Sequence, residues 1–266
     1  MEKSSDVIVV GAGHAGCEAA LISARSGKET TLLTIDLDKV ATLSCNPAIG
    51  GPGKSQLVRE IDALGGEMAR NTDRAAIHMR RLNTSKGKAM QIMRAQVDRD
   101  KYRQGMKRVL ETEDELQLNE GMVQKLVVES GEVKGVMTRE GVSYSAPAVV
   151  LTTGTFLSGR VYLGDTSYPA GRTGEPPAKD LSDNLQNHGL TVHRMNTDTT
   201  PRVNGDTIDF SSLESQSTTT EPFSFSYISE KQVLDDEYPV YLTRTNEKTH
   251  EIIRNNIDRN PRYNGT

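Results

Sequence analysis

Asp6-Val7-Ile8-Val9-Val10-Gly11-Ala12-Gly13-His14-Ala15-Gly16-Cys17-Glu18-Ala19-Ala20 joins a short β-branched run to a Gly-x-Gly-x-x-Gly and then to an alanine-rich helical pattern. Val7 to Val10 have the length and branching of a strand buried on both faces. The pattern predicts a helix from about His14 to Arg25 and a second strand over Thr30 to Thr34. In that setting Gly11 permits the tight turn, Gly13 lets the backbone approach a pyrophosphate, and Gly16 lets the helix pack closely on the strand. The helix then directs its positive N-terminal end and free N–H groups at the phosphates. A bare glycine pattern is a weak signal; the order strand, turn, helix, strand makes it a dinucleotide site. His14 contributes a backbone amide there. The second strand ends Leu32-Leu33-Thr34-Ile35-Asp36, and either Thr34 or Asp36 could hold the adenosine ribose. The motif alone therefore leaves the choice of dinucleotide open.

Two features favour FAD. The motif stands at the start of the chain, as in FAD-binding enzymes of the glutathione-reductase type. Ala148-Val149-Val150-Leu151-Thr152-Thr153-Gly154 resembles the later strand-and-glycine signature of that superfamily. The 266 residues suffice for one large domain or two small ones. With 26% charged and 35% hydrophobic residues the composition is that of a soluble globular protein. Tryptophan is absent and only four phenylalanines occur, so the core relies on Val, Leu, Ile, Ala and Met. No apolar run has the length of a membrane span, and Met1 to Ser5 leave no room for a signal peptide before the first strand. Two cysteines, Cys17 and Cys45, make no disulfide framework, and the chain reads as cytoplasmic.

A net charge of −4 argues against nucleic-acid binding by the whole surface. Charge is concentrated locally, however: Arg80, Arg81, Lys86, Lys88, Arg94, Arg99, Lys101, Arg103, Lys107 and Arg108 face only Asp98 and Asp100. This run is either a face for a phosphate backbone or a solvated helix face with a loop.

Further along, Leu37 to Leu43 is expected as a short helix, and Ser44 to Ser55 as a glycine- and proline-rich loop. Gln56 to Leu64 has helical spacing, closed by Gly65-Gly66. Asn71 to Arg94 lacks a clean period and reads as an irregular excursion; Gln96 to Glu113 reads as a polar helix. Leu116 to Asn119, Met122 to Glu129, Glu132 to Thr138 and Val142 to Ser145 read as successive strands of a small meander. Gly154 to Pro177 is loop-rich. A helix at Lys179 to Asn187, a strand at Thr191 to Met195, a strand-like patch at Val240 to Thr243 and a helical patch at Thr249 to Asn256 follow. Asn260 to Thr266 has no cap, tail or docking helix and reads as a chain cut in mid-fold. The expected architecture is α/β: a Rossmann-like FAD-binding domain over 1–197, incomplete, and over 198–266 the truncated beginning of an inserted NAD or substrate domain. The C-terminal half of the fold is absent.

Ala48 to Ser55 spells a loose phosphate loop, but no buried strand precedes it and Pro52 lacks an N–H. Cys45 is the better candidate for chemistry. It stands in a glycine-rich loop on the carboxyl side of the parallel strands, where a thiolate could attack an electrophilic carbon. Cys17, on the first turn of the phosphate helix, faces inward and packs.

Val10 to Ala20 together with Ser44-Cys45-Asn46-Pro47-Ala48-Ile49-Gly50-Gly51 resembles the MnmG (GidA) family. Further matches are Asp62 to Gly66, Ser85-Lys86-Gly87, Arg94-Ala95-Gln96, Thr153 to Leu157, Gly171-Arg172, Pro201-Arg202, Thr207 to Phe210 and Thr245 to His250. The resemblance covers essentially the whole chain. It implies a flavoprotein that installs the carboxymethylaminomethyl group on the wobble uridine of tRNA, with NADH as reductant and methylenetetrahydrofolate as one-carbon donor. It also implies a GTPase partner of the MnmE type and a homodimer. By the same resemblance Gly11, Ala12, Gly13, His14, Ala15 and Gly16 bind the FAD pyrophosphate, and Val123 meets the adenine through its backbone. Ala178 matches a flavin-contacting position where the family commonly has serine. Cys45 matches one of two catalytic cysteines, the second falling beyond Thr266, so this stretch alone is expected to be inactive. The chain departs from the family at Lys88 (commonly Pro), at Gln91 (commonly Arg) and at Asn196-Thr197-Asp198-Thr199-Thr200 (commonly Lys-Thr-Gly-Thr-Pro). Two other readings compete: an FAD/NAD(P)H oxidoreductase acting on a small molecule, and a non-catalytic Rossmann fragment. Neither Cys-x-x-Cys nor Cys-x4-Cys is present to favour the first.

Overall fold

The computed structural model describes residues 3–235 and 238–264. After β1 (Lys3–Ser4), β2 (Val7–Val10) leads through the glycine turn into α1 (His14–Arg25) and β3 (Thr30–Thr34). β4 (Ala48–Gly50), α2 (Ser55–Ala63), α3 (Met68–Ala75), β5 (Ala76–Leu82), β6 (Ile92–Val97) and α4 (Arg99–Thr112) follow. Next come β7 (Leu116–Glu120), β8 (Val123–Glu129), β9 (Glu132–Thr138), β10 (Ser143–Ser145) and β11 (Ala148–Leu151). β12 (Arg160–Leu163), β13 (Thr166–Pro169), α5 (Lys179–Asn187), β14 (Glu214–Gln216), β15 (Val240–Leu242) and α6 (Glu247–Asn255) complete the order used below.

The centre is a four-stranded parallel sheet in the order β11-β2-β3-β7, with Val7 opposite both Thr30 and Ala148. Alternating side chains divide the core. Val9 and Leu32 join Cys17, Ala20 and Leu21 of α1 and Tyr102, Met106 and Leu110 of α4 on one face. Ile8, Val10 and Leu33 join Val123, Val136, Tyr144, Leu181 and Leu185 on the other. This second face is covered by the β1-β10-β9-β8 sheet and α5. Burial on both faces is the reason β2 is apolar throughout rather than alternating. The α/β class expected from the sequence is the one observed.

The local expectations differ in several places, the first being that Ala48–Gly50, inside the stretch expected as a loop, forms β4 because it pairs with β6. Leu116 to Glu120 is no meander strand: β7 pairs in parallel with β3, and α4 supplies the crossover. Asn71 to Arg94 is regular, containing the end of α3 and most of an antiparallel hairpin, β5–β6, with β4 on its other edge. Leu37 to Leu43 makes only a single 3-10 turn over Leu37–Lys39, because Val40 and Ala41 are drawn into the core and Ala41 adopts φ +51°. Thr191 to Met195 forms no strand; it lies at the surface with no neighbouring strand to pair. The loop-rich stretch after Gly154 contains a small hairpin, β12–β13. Beyond it, Phe223 and Leu234 pack against, and Phe225 is buried within, the same cluster as α1 and α4. Among the described residues no helix is long and apolar enough to cross a membrane.

Candidate active site

The glycine turn sits between β2 and α1 with each position differently constrained. Gly11 has φ +101°, and a Cβ there would stand 2.6 Å from the Thr152 carbonyl oxygen. A Cβ on Gly16 would overlap the Gly11 carbonyl, so only glycine lets α1 approach the turn this closely. Gly13 is the helix N-cap; a Cβ on it would meet no heavy atom within 4 Å. No side chain caps α1, and the first internal bond runs from the Cys17 N–H to the Gly13 carbonyl. The preceding helical N–H groups have no partner within α1, and His14, the first of them, borders the open space before the helix, as an anion site requires.

That space is a cavity of about 970 Å³. It lies beyond the carboxyl ends of β2, β3 and β11, where doubly wound sheets bind their ligands. Gly11, Ala12, Gly13 and His14 line it; Ala15 and Gly16 lie outside its lining. Ala12 is buried, and its carbonyl accepts from the Ala41 N–H at 2.9 Å. Val123 and Ala178 both line the cavity, one at the start of β8 and the other before α5. The Ala178 N–H is already donated to the Phe156 carbonyl at 2.8 Å. The Ala178 carbonyl accepts from the Ser158 N–H at 3.3 Å, so the methyl is what this residue presents to the cavity.

Thr34 and Asp36 also line the cavity. The Thr34 hydroxyl donates to the Asp36 carbonyl at 3.4 Å, and Asp36 Oδ1 accepts from the Asp38 N–H at 2.7 Å. The second Asp36 carboxylate oxygen has no hydrogen-bond partner among the described residues, whereas Thr34 is turned to the backbone.

His14 packs against Tyr102 with ring centroids 5.8 Å apart. Burial, and then the neighbouring Arg172 charge, hold its imidazole below the usual value, in the neutral form. Arg172 itself donates to Glu175 Oε2 at 2.8 Å and lies over the Phe156 ring at 5.3 Å. Arg172, Glu175, Phe156, Lys54 and Arg94 all line the cavity. None of these five follows from residue type or spacing alone, because chain reversals far from the glycine turn bring them there.

Cys45 lines the same cavity. Its thiol donates to the Asp198 carbonyl at 2.9 Å, and its own carbonyl accepts from Arg202 at 2.7 Å and from the Thr200 hydroxyl at 3.4 Å. The stretch that departs from the family pattern, Asn196 to Thr200, is therefore the one lying on the thiol. Cys17 is fully buried, and its thiol donates to the Ala12 carbonyl at 3.5 Å. Burial, aided by the nearby Glu18 charge, pushes that thiol up to about 12, which makes it inert packing.

The residues present fit a dinucleotide: a cradle of free amides without a Cβ in the way, an acidic residue after the second strand, and an apolar wall at Val123 and Ala178. Comparison with known proteins agrees. Residues 6–266 match the family model described as "Glucose inhibited division protein A". The chain is 53% identical over 264 residues to a Thermodesulfovibrio yellowstonii protein named tRNA uridine 5-carboxymethylaminomethyl modification enzyme MnmG, covering 99% of this chain and 42% of the relative. A Bacillus subtilis protein of the same name is 52% identical over 260 residues, covering 98% of this chain and 41% of that protein. The crystal form I structure of Aquifex aeolicus GidA superposes with a TM-score of 0.93 at 43% identity, over 98% of this chain and 44% of that one. The chain thus spans about two fifths of the length of the relatives it matches, and it belongs to the GidA family.

Proposed function

We propose that this chain is the flavin-binding part of an enzyme that installs the carboxymethylaminomethyl group at C5 of the wobble uridine of tRNA. The observation that carries the reading is the shared cavity: the amide cradle of Ala12 to His14 and the thiol of Cys45 line one space. FAD is the dinucleotide this cavity suits, with the pyrophosphate at the start of α1, the ribose at Asp36 and the adenine along Val123. When bound, FAD supplies redox chemistry to a one-carbon unit derived from methylenetetrahydrofolate, with NADH as its reductant.

The chain's own contribution is nucleophilic. C5 of uridine is a poor nucleophile until a group adds to C6. The Cys45 thiol first breaks its hydrogen bond to Asp198 and gives up its proton to solvent. The sulfur then bonds to C6, the C5–C6 π pair moves to C5, and C5 bonds to the methylene carbon, whose bond to its carrier nitrogen breaks with the electron pair left on that nitrogen. Loss of the C5 proton expels the sulfur and restores the double bond. Two cysteines with no disulfide, Cys17 and Cys45, support a reducing, cytoplasmic setting. A GTPase partner of the MnmE type and a homodimer belong to the same proposal. So does the division of the chain at residue 197, with 198–266 beginning an inserted unit whose stretch around Phe225 returns to the first unit's core.

Cys45→Ser in the full-length protein tests the reading. Flavin absorbance of the purified variant should be retained, while wobble-uridine modification, read by nucleoside mass spectrometry, is lost. Retained modification would remove Cys45 from the chemistry.

A further inference from the structure

The basic run between His78 and Leu110 divides into two sets once its partners are known. Along α4, Arg99 donates to the Leu43 carbonyl at 2.7 Å and Arg103 to the Asp38 carbonyl at 2.6 Å. Lys107 pairs with the Asp38 carboxylate at 3.2 Å. These three cations hold the 38–43 segment under the cleft. In the hairpin, Arg81 pairs with Glu221 at 3.4 Å and Arg80 donates to the Ser217 carbonyl at 3.4 Å. Lys86 and Lys88, at the exposed tip, and Arg94, on β6, have no side-chain partner among the described residues.

Two further facts make this set a surface. No Asp or Glu occurs between Asp73 and Asp98, although the whole chain carries a net charge of −4. Arg80 and Arg94 stand directly opposite each other on adjacent strands, an arrangement that like charges disfavour unless an anion lies between or near them. The hairpin also reaches the thiol cavity. Arg94 is in register with Gly50 of β4, and Arg94, Gly50 and Lys54 all line that space. Gln56, at the start of α2, donates to the Ala89 carbonyl at 3.5 Å and fastens the tip to the cavity rim.

We propose that the β5–β6 hairpin is an RNA-docking arm. Lys86 and Lys88 at its tip, and Arg94 with Lys54 where it meets the cleft, hold the phosphate backbone that leads the target nucleotide to Cys45. This rests on the RNA substrate of the proposed function. A row of unpaired cations ending at a cleft concentrates a polyanion and steers it inward, and each phosphate neutralised releases counterions.

The test is the salt dependence of binding. The full-length protein is titrated with a fluorescent tRNA anticodon stem-loop carrying a wobble uridine at several salt concentrations, with flavin affinity measured in parallel. Lys86→Ala/Lys88→Ala should weaken binding and make the slope of log K against log salt shallower by about 1.5, the loss of two phosphate contacts. Lys86→Arg/Lys88→Arg should keep the slope, as should Lys134→Ala on β9 of the other sheet. Flavin affinity should be unchanged throughout. An unchanged slope in the double alanine variant, or an equal change in Lys134→Ala, would overturn the arm and leave the tRNA reading standing. Failure of the full-length parent to bind the stem-loop at low salt would overturn both.

Discussion

Gly13 and Gly16 lie in one turn yet carry opposite consequences for the same substitution. A methyl on Gly16 has nowhere to go, since backbone on the preceding turn already fills the space. Gly16→Ala should cost about 1–3 kcal/mol of stability, as overpacking does, and remove flavin binding with it. A methyl on Gly13 projects into the space reserved for the ligand, and φ there is −76°, which any residue adopts. Gly13→Ala should leave the urea unfolding midpoint within about 0.5 kcal/mol of the parent while weakening flavin binding at least tenfold. Equal destabilisation by the two substitutions would contradict this division of labour. Residue spacing alone reveals the glycines because their constraints are local. The state of His14 is hidden from spacing, since Tyr102 and Arg172, which bury and neutralise it, arrive from elsewhere in the chain.

At the scale of elements the legible parts are those whose pattern is self-contained. β2, α1, β3 and α5 have the bounds expected from periodicity and punctuation. α3 was not legible because its start is capped from outside: Glu18 of α1 accepts from the Glu67 and Met68 N–H groups at 3.0 and 2.6 Å. The hairpin was hidden because one face meets the core while the other is covered by residues 216–219, so neither face shows clean alternation. The stretch around Phe225 depends in turn on carboxylates of α2 and α3. Asp73 accepts from the Phe225 and Ser226 N–H groups at 2.7 and 3.0 Å, and Asp62 from the Tyr227 N–H at 2.8 Å. Asp73→Ala leaves two buried donors unpaired and should cost about 2–4 kcal/mol by urea denaturation, with Asp73→Asn, which keeps one acceptor, in between. Burial above all holds the Asp73 carboxyl above its ordinary value of 3.8. Its contribution is therefore fullest below that value and is lost as pH rises through the folded-state value. The advantage of the parent over Asp73→Asn should shrink as the solution is brought from acid toward neutrality; a gap that widens would show the carboxylate to be favoured by its site.

Across the whole molecule, the decisive contact is between the thiol loop and a segment some 150 residues later, Asp198 to Arg202. No local pattern announces such a contact. The composition after Thr197 reads only as the beginning of an inserted domain, yet that segment lies directly on Cys45. Three bonds hold the segment down: the thiol to Asp198, the Thr200 hydroxyl to the Cys45 carbonyl, and Arg202 to the same carbonyl. The Asp198 side chain adds an exposed ion pair with Arg262 at 3.1 Å. Exposed pairs of that kind contribute little, about 0–1 kcal/mol, whereas Arg202 makes a short charge-assisted bond to the Cys45 carbonyl itself. Arg202→Ala should therefore open the segment and raise the rate of Cys45 alkylation by iodoacetamide several-fold, with Arg262→Ala giving a smaller increase. Cys17, buried and with its thiol pushed up to about 12, should stay unlabelled in both until denaturant is added, so peptide mass spectrometry reports local opening separately from unfolding. If Cys45 in Arg202→Ala is alkylated at the parental rate, the segment does not control access, and the thiol is as free to meet a base as the cavity wall allows.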